Sequence, residues 1–138
     1  SWSADPVDLV PAEENRRLIA EAVETARKAD VVVMVLGDNE QLSREAWADQ
    51  HLGDRASLDL VGQQEELARA VLALGKPTVV MLLNGRPLSV NYLAENAPAL
   101  IEGWYLGQET GNAVADVLFL LSIGLVVLYA TRQSGDKA

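Results

Sequence analysis

Val31-Val32-Val33-Met34-Val35-Leu36 and Thr78-Val79-Val80-Met81-Leu82-Leu83 are the two stretches that decide the fold. The first is a mostly β-branched apolar run closed by Gly37, and the second is another apolar run, closed by Asn84-Gly85-Arg86-Pro87. Runs without the alternation of a half-exposed strand suit strands covered on both faces, as in a parallel sheet. A helical pattern precedes each. Leu18, Ile19, Ala22, Val23 and Ala26 recur at helical spacing within Ala12 to Ala29. Glu13 and Glu14 stand at its start and Arg27 and Lys28 at its end, as the helix dipole favours. Leu67, Val71 and Leu74 mark a helix from Gly62 to Leu74, stopped by Gly75-Lys76-Pro77. A short helix from Val90 to Glu95, a strand Ala99-Leu100-Ile101-Glu102 and a helix from Gln108 through Val117 or Leu118 follow. This alternation predicts an open, mostly parallel α/β sheet flanked by helices on both faces, an α/β sandwich with flavodoxin-like layering. Leu67, Val71, Val79 and Val80 are read as core.

The chain has 138 residues, the size of one domain, with a proline-punctuated lead-in over 1–11 and an atypical tail over 120–138. With 49% hydrophobic and 22% charged residues it can bury a core without metals or disulfides. The absence of cysteine excludes a disulfide framework, a cysteine nucleophile and a thiolate metal site. One histidine, His51, cannot make a histidine-rich metal site, and no cofactor is expected. A formal charge of −9 repels phosphate backbones and anionic lipid, so neither nucleic acid nor a membrane surface is an expected partner. The sequence opens Ser1-Trp2-Ser3-Ala4-Asp5-Pro6, without an initiator Met, a basic segment or an apolar signal. It is therefore expected to be cut from a longer chain, and its compartment is left open with a lean to the cytoplasm. The apolar run Val117 to Ala130 falls short of the roughly 20 residues that span a bilayer. It reads as a helix end, a break at Ser122–Gly124 and a strand Leu125–Tyr129; a tail anchor or a non-native end are the alternatives.

In open α/β sheets, ligands meet the loops beyond the carboxyl ends of the strands, which here begin at Gly37, Asn84 and Gly103. No G-x-G-x-x-G, P-loop or G-x-S-x-G pattern occurs. A Ser-His-Asp triad would depend on His51, which has no supporting motif. The stretch Asp38 to Asp59 is long for a connection inside a domain, and such loops are more often functional than idle. It holds Asp38, Glu40, Glu45, Asp49, Asp54 and Asp59, interleaved with Arg44, Trp47, His51 and Arg55. Carboxylates move protons, arginines hold hydroxyls or acids, and indole faces stack on sugar rings. The same composition suits a solvated surface loop, and residue types alone leave both readings open.

The ordered strings GDNEQLSREAWADQHLGDRASLDLVGQQEEL (37–67), KPTVVMLLNGRPLSVNY (76–92) and IEGWYLGQETGNAVADVLF (101–119) resemble one known domain. It is the second, α/β-sandwich domain of glycoside hydrolase family 3, the β-glucosidases and β-xylosidases. The lead-in SWSADPVDLVPAEENRRLIAEAV is similar to the approach to that domain, so the resemblance covers about residues 1–119. It implies hydrolysis of β-linked glucosides or xylosides with retention, through a covalent glycosyl-enzyme. It further implies that the nucleophilic aspartate lies on a preceding barrel domain, while the sandwich supplies the general acid/base. The glutamate of the S-R-E-A-W motif at that position is Glu45. A glutamate enclosed against another domain's pocket is desolvated, which favours the protonated form a general acid needs. By the resemblance Arg44 orients Glu45 or a substrate hydroxyl and Trp47 flanks the leaving group, though packing or surface roles fit both equally.

Other singled-out residues read as structure. Asp54-Arg55 is taken as a loop-fixing ion pair, Asn84-Gly85-Arg86-Pro87 as a turn, and Glu109 as a helix cap. From Leu120 onward the resemblance stops, because family members continue with a glycine-rich turn and a G-K-L-P strand. The barrel, and with it the nucleophile, lies outside these residues, so the isolated chain is expected to be inactive. Two other readings stand beside the glycosidase: a folded remnant or scaffold without catalysis, and a flavodoxin-like module binding a small ligand at its strand ends.

Overall fold

Pro11 turns the chain into helix α1, Ala12–Lys28, with φ −51° and ψ 140°. The structure, a computed structural model, describes residues 10–39 and 57–120, which divide into two units at Trp104/Tyr105. No side chain caps α1, but the Asn15 amide donates to the Val10 carbonyl at 3.3 Å and fixes the entry. On its solvent face Arg17 bridges Glu14 and Glu21, one turn away on either side. The guanidinium beside Glu14 holds that carboxyl below its ordinary range, slightly opposed by desolvation. At the other end Lys76 donates to the carbonyl of Ala29 at 2.9 Å, joining the end of α1 to the approach of the second strand.

Strand β1, Val32–Gly37, helix α2, Gln64–Leu72, strand β2, Thr78–Leu83, helix α3, Asn91–Asn96, and strand β3, Ala99–Glu102, follow in chain order. The sheet is parallel throughout, in the order β1-β2-β3. Register runs from Val32 opposite Thr78 to Gly37 opposite Leu83, and from Val79 opposite Ala99 to Leu82 opposite Glu102. Strands laid down in one direction with right-handed crossovers put the crossover helices on one face. The core agrees: Ala26 of α1, Ala68 and Val71 of α2 and Leu93 of α3 pack with Met34, Leu36, Val80 and Leu82. Arg69 strengthens the seam between α2 and α3, pairing with Glu65 and standing 3.6 Å over the Tyr92 ring.

The α/β class, the parallel order and the positions of the three described strands follow the sequence pattern. Burial of each strand on both faces holds for β2, where Val80, Met81 and Leu82 are all buried. It fails for β1. Val33 and Val35 are 46% and 55% exposed, because among the described residues β1 is an edge strand and the three helices of this unit pack against its other face.

In the second unit the helix expected from Gln108 is broken into three pieces. A 3-10 turn, Gly107–Glu109, leads into helix α4, Thr110–Ala115, and a π-helical turn, Asp116–Leu120. Thr110 Oγ1 donates to the Gly107 carbonyl at 2.6 Å and closes the first piece. Glu109 occupies the cap position of α4 but makes no capping bond to backbone. Its carboxylate instead accepts from the Asn112 side chain at 2.7 Å, a correction to the cap expected there. Among the described residues no helix is long and apolar enough to cross a membrane. The readings of 1–9 and 121–138 fall outside the described residues.

Gly37 is where this sheet tolerates no side chain. At φ +140° a Cβ would stand 2.0 Å from the Leu83 carbonyl oxygen on β2. Gly75 also has positive φ, +65°, but a Cβ there meets nothing within 4 Å. Gly37→Ala should therefore cost about 3 kcal/mol, against about 1 kcal/mol for Gly75→Ala, in urea unfolding of the chain. Equal costs would contradict this account of the β1–β2 approach.

Candidate active site at the carboxyl edge of the sheet

The carboxyl end of β1 is held from both sides. Toward β2, the Asp38 amide donates to the Leu83 carbonyl at 3.2 Å, and the Asp38 carboxylate accepts the Gly85 amide at 3.2 Å. On the opposite side the amide of Gly37 donates to Gln64 Oε1 at 2.8 Å, while Gln64 Nε2 donates to the Gly37 carbonyl at 2.7 Å. Residues of a parallel strand alternate the side to which their N–H and C=O point, so Gly37 offers its pair to the free edge once Asp38 has turned to β2.

Chain returning to α2 is tied to the second strand-end loop. Ser89 donates its amide to the Leu58 carbonyl at 2.8 Å, and Asp59 pairs with Ser89 in an isolated parallel bridge. Ser57 Oγ donates to the Asp59 carboxylate at 2.6 Å and accepts the Asp59 amide at 3.0 Å. That second loop is built on Asn84, fully buried, whose Nδ2 donates to the Arg86 carbonyl at 2.7 Å; this is the turn the sequence suggested. At the third strand end Gly103 donates to the Leu82 carbonyl at 2.8 Å, and a Cβ there would have to displace the side-chain ends of Leu83 and Met81. Trp104 follows in the left-handed region, φ 55°, with its amide on the Glu102 carboxylate at 3.1 Å and its ring half-exposed. A non-glycine residue held there costs on the order of 1–2 kcal/mol, so local contacts impose the conformation.

Glu45, Arg44 and Trp47 lie outside the described residues, as do Glu40, Asp49, His51, Asp54 and Arg55. Of the acidic residues in the long stretch, Asp38 and Asp59 are described, and both carboxylates accept hydrogen bonds that brace the two ends of that stretch. Sequence reasoning missed Gln64, whose only signal was an amide side chain at the first turn of the helix that follows a long loop. Among the described residues no group of three His, Asp or Glu side chains is gathered to hold a metal ion.

A parallel sheet whose three strand ends are cross-tied by hydrogen bonds belongs to the α/β class that presents ligands at this edge. The family follows from comparison. Residues 2–120 match the glycosyl hydrolase family 3 C-terminal domain, and the chain belongs to that family. It is 48% identical over 99 residues to a β-xylosidase of Formosa agariphila, covering 72% of this chain and 13% of that protein. It is 42% identical over 113 residues to an exo-α-(1→6)-L-arabinopyranosidase of Bifidobacterium longum, covering 82% of this chain and 14% of that protein. Among solved structures, a β-glucosidase from Erythrobacter marinus matches with TM-score 0.72 and 53% identity, over 85% of this chain and 15% of that one. The chain thus spans about one seventh of the length of these relatives.

The Asp38–Gly85 tie has a direct readout. Asp38→Ala removes the acceptor of the Gly85 amide, a loss worth about 1–2 kcal/mol. Amide exchange at Gly85 should accelerate by about tenfold, with exchange in the body of α1 unchanged; protection of Gly85 as in the parent would contradict the tie.

Proposed function

We propose that this chain completes the active site of a retaining β-glycosidase, with Glu45 as the general acid/base. The nucleophilic carboxylate belongs to a barrel domain elsewhere in the same protein, and the substrate is a β-linked glucoside or xyloside. The observation that carries this reading is the family match across residues 2–120, which includes the whole stretch between β1 and α2. The names of the relatives support a glycosidase and differ on the sugar.

The chemistry divides between two carboxyls. In the first step the nucleophile attacks the anomeric carbon as Glu45 gives its proton to the departing oxygen. In the second Glu45 takes a proton from water, which attacks the anomeric carbon and releases the sugar. Such a pair stands about 5–5.5 Å apart. Arg44 orients Glu45 or a sugar hydroxyl, and Trp47 lies beside the leaving group.

A leaving-group series tests the assignment. In the Erythrobacter marinus enzyme with its matched segment exchanged for this chain, kcat/KM reports formation of the glycosyl-enzyme. Glu45→Gln should lower kcat/KM by about 100-fold or more for an aryl glycoside with a poor leaving group. Loss should be far smaller for a dinitrophenyl glycoside, whose departure needs no proton. Parallel losses on both substrates would remove Glu45 from this role. Turnover by this chain alone would contradict a nucleophile supplied from elsewhere.

A further inference from the structure

Gln64 is the first residue of α2, yet its side chain acts as a piece of sheet. Its amide takes both backbone groups of Gly37 on the free edge of β1, at 2.8 and 2.7 Å, the reciprocal pairing a neighbouring strand would make. The same Nε2 donates to the Val61 carbonyl at 3.1 Å. One side chain therefore holds the last residue before the long connection and the segment that returns from it. The network also fixes which way the amide faces, since reversing it would set an oxygen against two carbonyls.

These bonds do not stand alone. Asp38 is tied to Gly85 and Leu58 to Ser89, so both ends of the connection are fastened to the loop after β2 as well. Those two ties position the ends relative to β2. Gln64 ties the ends to each other and to the start of α2, through one rigid planar group.

We infer that Gln64 is a positioning residue for the acid/base. By fastening Gly37 and Val61 to one amide, it sets where the connection that carries Glu45 leaves β1 and where it returns to α2. This inference rests on the role proposed for Glu45 and goes beyond it: Gln64 touches neither substrate nor reacting atoms. Displacement of a catalytic group by about 1 Å can cost on the order of 100-fold in rate. The loss falls on the step that needs that group.

Two variants in the same exchanged enzyme test it. Gln64→Met keeps the length and loses all three bonds. Gln64→Glu keeps an acceptor for the Gly37 amide but sets a carboxylate against the carbonyls of Gly37 and Val61. Both should lower kcat/KM on the poor leaving group by about 10- to 100-fold, and on the dinitrophenyl glycoside by no more than about threefold. In Gln64→Met the Gly37 amide should also exchange at least about tenfold faster. A parallel fall on both substrates in Gln64→Glu, or no change on either, overturns the inference. Selectivity in Glu45→Gln without selectivity in the Gln64 variants sinks this inference alone. No selectivity in Glu45→Gln, or no turnover by the exchanged enzyme with Glu45 intact, sinks the proposed function and this inference with it.

Discussion

The pairing of β1 with β2 is the constraint on which the rest of the described fold depends. Six residue pairs in parallel register bring Gly37 against the Leu83 carbonyl so closely that only a hydrogen fits between them. That register places Met34 and Leu36 beside Val80 and Leu82 on the face that receives α1, α2 and α3. It also brings the Asp38 amide to the Leu83 carbonyl, beside the tie from the Asp38 carboxylate to Gly85. A one-residue slip would turn the buried Met34 and Leu36 to the exposed face and bring Val33 and Val35 into the core. Packing and the layout of the strand-end loops are thus settled together.

Much of this architecture was legible in the sequence, for identifiable reasons. Short apolar runs rich in valine at 31–36 and 78–83, bounded by turn residues, favour strand, and the stripe Leu18, Ile19, Ala22, Val23, Ala26 favours helix. The exposure of Val33 and Val35 was not legible, because an apolar run reports that a strand can be buried on both faces, not that it lies at the edge. Strand order and crossover handedness decide that, and neither is written in local periodicity. The division of the segment after Gly107 into 3-10, α and π pieces was equally hidden, since all three share a similar apolar spacing.

The family was legible in the sequence, and the hydrogen bonds at the carboxyl edge of the sheet were not. Carboxylates, arginines and a tryptophan in one long connection suited a sugar site and a solvated surface alike, and it was the ordered motifs that pointed to the family to which the chain belongs. Gln64, Asp38 and Asp59 show what residue types could not supply. Gln64 and Asp38 work through backbone partners distant in sequence, and a hydrogen bond to main chain leaves no signature in the partner's identity; Asp59 works through the nearby Ser57 hydroxyl. Asp38 and Asp59 sit among the acidic residues that suggested proton transfer, yet their carboxylates accept hydrogen bonds that brace the ends of the connection.

The central claim is that one carboxyl of a two-carboxyl site comes from this chain. A crystal structure of the family-length enzyme carrying it, trapped as a glycosyl-enzyme with a 2-fluoro sugar, would test the claim most directly. The account predicts the Glu45 carboxyl about 5–5.5 Å from the carboxylate bound to the sugar, on the side from which the leaving group has departed. A separation beyond about 6 Å, or another carboxyl at that place, would contradict it.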